Sequence, residues 1–276
     1  MAWCAARPDP ASQAQVIALV QALYYFLGVR GYWREKLEFG AKALQAAETL
    51  GDRASQAQLH VRVIGWTHLQ LSQFEPARAH LQRGLELYQQ LGDPGGLASS
   101  YRYLATLERR GGGEAGRAAA AELYQQALQA ADQVADSGRL RASVLISLST
   151  LTVKTGRWAE AEGHLRAALA TFRKLGHTSK IAEVLSRLGD LCVLQARLDE
   201  AAALFAESQS YAAAITRQKT IAYNLLGLAR IAQKRGDYQQ MRALALQARQ
   251  AFGNLAIADE SQEIQDLAQM LPAEPA

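Results

Sequence analysis

The chain has 276 residues, 49% of them apolar, with six prolines and a formal charge of +4. That composition buries a core and excludes a disordered chain, and with so small a net charge the placement of the cations carries more information than their total. The two cysteines, Cys4 and Cys192, are too few and too far apart for a disulfide framework or a metal site, which points to a reducing cytoplasm.

Residues 1–10 hold two prolines and no periodic pattern, and read as a poorly ordered lead-in. The apolar stretch 16–29 reads as a first helix rather than a secretion signal. The only upstream side-chain charges are Arg7 and Asp9, no small-residue cleavage site follows, and about 14 residues cannot span a bilayer. It breaks at Gly28 and Gly31 and pairs with a helix over 33–50, which Gly51-Asp52 closes. A second pair spans 54–71 and 75–91, with Pro76 in a first turn where its missing N–H costs nothing. The Gly-Asp-Pro-Gly-Gly run at 92–96 is the clearest turn.

A third pair, 97–110 and 116–135, is separated by a glycine run at 111–115 that reads as a flexible insertion. The run lacks the Gly-Lys-Ser/Thr ending and the preceding strand of a phosphate loop. Further pairs follow at 138–155 with 159–175, 179–195 with 199–214, and 218–235 with 238–254. A last amphipathic segment, 259–271, carries Ile264, Leu267, Ala268 and Leu271 at helical spacing and reads as a cap on the end of the stack, before a short tail.

One stretch recurs through all of these pairs. An aromatic slot is filled by Trp33, Phe74, Arg117, Trp158, Leu198 and Tyr238, at intervals of 41, 43, 41, 40 and 40 residues. Ten positions further on stand Ala43, Gly84, Ala127, Ala168, Ser208 and Ala248, all small. A slot between the two holds Ala77, Ala120, Ala161 and Ala201 but Lys36 and Met241 in the outermost repeats, where an array is atypical. Small residues seven apart form a stripe along one helical face, against which a second helix comes close. The repeats are expected at 11–52, 53–93, 94–136, 137–177, 178–217 and 218–254, within a single domain over 1–276.

Leu188-Gly189 followed by Leu198, Ala201, Phe205 and Ser208 resembles the tetratricopeptide repeat, as does Ile64-Gly65 followed by Phe74, Ala77 and Gly84. The resemblance covers roughly residues 11–254. It departs from the 34-residue form in its period of about 40 and in replacing the closing proline with Leu50-Gly51-Asp52, Leu91-Gly92-Asp93 and Leu175-Gly176-His177. This longer form is similar to the repeats of cell-polarity and kinesin-light-chain adaptors, and to those attached to bacterial signal-transduction ATPases. The resemblance implies an all-α, right-handed solenoid of six helix pairs plus the capping helix. It also implies a non-catalytic protein-interaction module with its first helices lining a concave groove.

Carried over position by position, the groove includes Tyr25, Arg62, Trp66, Arg102, Arg109, Arg110, Lys154, Tyr223, Arg230 and Lys234, against Glu183 and Asp190. Arginine forks beside exposed rings suit a protein or peptide partner with acidic groups, since bidentate charge-assisted bonds fix orientation and a ring adds apolar contact. Arg109 and Arg110 also stand at a helix C-terminus, where cations are favourable whatever the function. The chaperone-binding subtype holds a carboxylate with lysine and asparagine, and no groove position is asparagine.

His60, His68, His80, His164 and His177 make no i, i+4 pair for a metal, and no nucleophile elbow or dinucleotide fingerprint occurs. No cofactor, catalysis or membrane attachment is expected. One alternative is the sensor or regulatory arm of a signal-transduction ATPase or transcriptional regulator. Another is RNA binding, which the absence of a recurring pair of code residues makes the weaker reading.

Overall fold

A computed structural model describes residues 9–253 of the chain, and every regular element among them is helical. The lead-in up to residue 8 and the expected capping helix at 259–271 lie outside the described residues. The first pair is α1 (Pro10–Arg30) and α2 (Trp33–Thr49). The second joins a composite rod, α3 (Arg53–Gln58), a π-helical turn (Leu59–Gly65) and α4 (Trp66–Gln70), to α5 (Phe74–Leu91). Next come α6 (Pro94–Gly111) with α7 (Gly113–Asp132), and α8 (Gly138–Lys154) with α9 (Trp158–Lys174). The last two pairs are α10 (Thr178–Leu194) with α11 (Leu198–Ala214), and α12 (Gln218–Arg235) with α13 (Tyr238–Gly253). The described residues thus form an all-α repeat of six helix pairs, and none of their helices is long and apolar enough to cross a membrane.

Two compact units divide the chain, one ending at Leu151 and one beginning at Thr152, each with its own core. The small-residue stripe is where the sequence places it. Lys36, Ala77, Ala120, Ala161, Ala201 and Met241 are buried, and so are Ala43, Gly84, Ala127, Ala168, Ser208 and Ala248. The starts of α1, α3 and α6 are each capped by an aspartate side chain. Asp93 accepts from the backbone N–H groups of Gly95 and Gly96 at 2.9 and 3.0 Å, with Pro94 as the first helical residue, so two orphan donors of α6 are satisfied.

The Leu-Gly motif has a steric cause. In the second unit the Phe205 ring lies between Gly189 of α10 and Gly227 of α12. A Cβ added at those glycines would stand 2.7 Å and 2.2 Å from the ring, closer than carbon atoms approach. One glycine in α10 and one in α12 therefore let the large residue of α11 sit between successive repeats.

Two expectations are corrected. The second rod is not a uniform helix over 54–71, because Trp66 N–H donates to the Val61 carbonyl five residues back, the bond that defines a π turn. The glycine run at 111–115 is not a flexible insertion either. Gly111 ends α6, Gly113 begins α7, and Gly116 N–H donates to the Gly112 carbonyl at 2.7 Å. A Cβ at Gly116 would stand 2.4 Å from the Glu108 carbonyl oxygen, so these glycines serve close packing rather than mobility. The longer interval is taken up by α7, which has 20 residues where α2, α9 and α11 have 17.

Candidate partner-binding surface

In the first unit three predicted residues gather around a tyrosine that the sequence reading left out. Trp66, the first residue after the π turn, stacks on Tyr103 with ring centroids 4.7 Å apart and planes 26° from parallel. On Tyr103 also lies the Arg102 guanidinium, 4.0 Å from the ring centroid. Arg62, in the middle of the π turn, reaches Ser99 Oγ at 3.5 Å through Nη2. Burial pushes the Arg62 pKa down, but Tyr103, Tyr24 and Tyr88 raise it further, and Tyr24 shares a hydrogen bond with it, so the charge is held.

This guanidinium is half-buried, and among the described residues no carboxylate pairs with Arg62, Arg102 or Arg109. Buried cations are ordinarily paired, because desolvation is costly and a partner charge offsets it. The Nε atoms of Arg102 and Arg109 are buried and make no hydrogen bond within the described residues. The same holds for the Nε atoms of Arg187 and Arg197 in the second unit, but there the other guanidinium nitrogens are held by Glu183, Glu162 and Glu200.

Arg110 has a different surrounding from its neighbour. Its Nη1 donates to the Leu69 carbonyl at 2.5 Å and its Nη2 to Ser72 Oγ at 2.9 Å. The fork thereby closes the end of α4 and its turn, and part of the basic stripe holds one repeat to the next. Tyr25 is exposed on α1. Trp66 packs on the first unit's core as well as on Tyr103, so it is half-buried rather than freely displayed.

The second unit treats its cations otherwise. Arg230 Nη1 pairs with Asp190 Oδ1 at 3.2 Å. Tyr223 turns its ring against Phe252, with centroids 5.3 Å apart at 84°, while Lys154 and Lys234 are exposed. Glu162 accepts from Arg166 Nε at 2.8 Å and Arg197 Nη2 at 2.7 Å, and Glu200 bridges the same two arginines at 3.1 and 3.0 Å. Burial pushes the Glu183 carboxyl up, but Lys180, Arg187 and Arg217 outweigh it and hold it well below the usual carboxylate range.

The sequence reading missed Tyr24, Tyr88 and Tyr103. The signal available was the Tyr101-Arg102-Tyr103 triplet, which puts rings on both sides of a groove arginine.

Residues 140–213 match the family model of the tetratricopeptide repeat. Among solved structures the chain is similar to BtubC (BKLC) from P. vanneervenii, with 20% identity and a TM-score of 0.54 over 97% of this chain and 93% of that one. It is similar to a Rap protein solved in complex with Competence and Sporulation Factor, at 15% identity and a TM-score of 0.65 over 92% and 76%. A third likeness is to a signal-transduction ATPase with numerous domains from Pyrococcus horikoshii that carries a tetratricopeptide repeat sensor. It has 16% identity and a TM-score of 0.65, covering 91% of this chain and 37% of that one. No curated protein matches the chain by sequence.

Proposed function

We propose that the chain is a tetratricopeptide-repeat protein throughout, as residues 140–213 match that family's model, and a non-catalytic interaction module whose first unit holds a protein or peptide by its acidic groups. The observation that carries this reading is the set of half-buried guanidinium groups, Arg62, Arg102 and Arg109, beside the Trp66–Tyr103 stack and without a carboxylate partner among the described residues. A partner carboxylate supplies the missing charge, and the stacked rings take an apolar side chain next to it. Arg230, already paired with Asp190, has less to offer such a partner, so the second unit contributes little.

An array of acidic, neutral and basic peptides, probed with the full chain, tests this. Arg102→Glu with Arg109→Glu is expected to weaken retention of acidic peptides a hundredfold or more, a few kcal/mol, whereas Arg230→Glu with Lys234→Glu changes it little. Equal retention by the wild type and the first double variant rules the assignment out. The reading as a regulatory arm beside a signal-transduction ATPase rests on the repeat period of about 40, and recovery of a nucleotide-binding partner favours it. RNA binding predicts steep loss of affinity with salt and no preference for acidic peptides.

A further inference from the structure

The π turn that carries Arg62 is held against α5 at two points. At one it rests on Gly84, where an added Cβ would stand 2.3 Å from Val61 Cγ2 and 3.3 Å from His60 Cβ. Its other restraint is a pair of histidines, His60 of the turn and His80 of α5, whose Nδ1 atoms are 2.9 Å apart with ring centroids at 5.0 Å. His68 of α4 stacks on His80 at 5.8 Å and 17°, and its own Nδ1 lies 2.6 Å from Gln73 Oε1. Arg83 of α5 places its positive charge near His60. From α2, Glu48 and Gln45 line, with His68 and His80, a pocket of about 330 Å³ beside the cluster. Among the described residues no group of three or more metal-ligating side chains is placed to hold an ion.

A hydrogen bond between two Nδ1 atoms needs a hydrogen on one and a lone pair on the other. The neutral pair meets that requirement, and so does a pair with one added proton, which goes to the far nitrogen of the donor ring. A second added proton has only the accepting Nδ1 to occupy, and then two N–H groups face each other at a distance that suits one hydrogen. Burial and the neighbouring charges of His80 and Arg83 hold His60 down to about 4, and burial followed by His68 lowers His80. Both rings are therefore neutral near pH 7. A π turn is a rare conformation that persists where its surroundings enforce it, so loss of one restraint falls on the turn itself.

We propose that the His60–His80 contact is a proton-operated latch on the π turn: the neutral pair keeps Leu59–Gly65 in the register that sets Arg62 among the tyrosines, and charging both imidazoles releases that turn. The effect on partner binding rests on the reading of Arg62 given above, whereas the response of the turn does not.

Amide exchange of the full chain, corrected for the intrinsic effect of pH, reads the latch directly. Between pH 6.5 and 4 the amides of residues 61–66 are expected to lose at least tenfold in protection relative to those of α10. In His80→Gln, where a non-titrating amide keeps the bond to His60, that selective loss is expected to shrink to less than threefold. Unselective loss in the wild type, or an equal loss in the variant, overturns the proposal. A ¹⁵N titration of the wild-type imidazoles needs no variant. Two coupled steps below pH 6.5 support the latch, and independent titration of both rings near 6.5 overturns it. Selective loss of protection with acidic-peptide retention unchanged at low pH supports the latch while removing Arg62 from the binding surface.

Discussion

Lys36 is the residue that departs furthest from its setting. It occupies a slot that the internal repeats fill with alanine, it is only 2% exposed, and no carboxylate among the described residues pairs with it. The ammonium lies 5.7 Å from the Tyr24 ring centroid and 6.0 Å from that of Trp33, a weak substitute for water. Burial accordingly pushes its pKa from 10.5 to about 8. Between those values the unfolded chain binds a proton that the folded chain does not, so stability rises with pH from about 8 to 10.5. Met241 fills the equivalent slot of the last repeat, fully buried and without charge. Lys36→Met is therefore expected to stabilise the protein by about 1–3 kcal/mol at pH 7 and to flatten that alkaline rise. Urea denaturation at pH 7 and pH 10 measures both, and a less stable variant at pH 7 contradicts the account.

At the scale of elements, the deciding contacts are between a glycine and a large side chain. Phe205 is fully buried between Gly189 and Gly227, so its ring has no side to which it can yield. Gly227→Ala is expected to cost about 1–3 kcal/mol through overpacking. Gly163→Ala on the outer face of α9, where an added Cβ meets nothing within 4 Å, is expected to gain roughly 0.5–1 kcal/mol from the helix-former alone. Thermal unfolding of the two variants side by side checks the contrast, and equal shifts contradict it. These contacts also explain what could be read in advance. The small stripe was legible because only small residues fill a close helix contact, and the helix pairs because left-handed stops such as Gly92 and Gly176 punctuate them. The π turn was not, since one extra residue barely disturbs a 3.6-residue pattern. The glycine run was misjudged because close packing and flexibility call for the same residue. The tyrosines around Arg62 escaped notice because they come from α1, α5 and α6, helices of three repeats, and single-repeat positions do not reveal such a meeting.

Over the whole molecule, the two units respond to acid through different groups. In the second unit the Glu183 and Glu162 carboxyls are pushed up by burial but held below 4.5 by their arginine and lysine neighbours. Their contribution is fully present above 4.5 and drains as pH falls below it. In the first unit His60 and His80 are held below 6.5, so their contribution is complete above 6.5 and is lost on the way down toward about 4. Stepwise acidification followed by hydrogen exchange is expected to open residues 59–66 first, with α10 protected until below about pH 4.5. Earlier opening of α10 contradicts this division.

Arg110 gives the basic stripe a double character. Its neighbour Arg109 has no acidic mate among the described residues, yet Arg110 clasps Leu69 and Ser72 of the preceding repeat. On the proposed reading of Arg102 and Arg109, a genetic screen scoring only lost association would return all three of Arg102, Arg109 and Arg110, two as missing handholds and one as a missing rivet. Drift at 110 would then be policed by assembly of the rod before any visitor arrives, while 102 and 109 would follow whatever the visitor becomes.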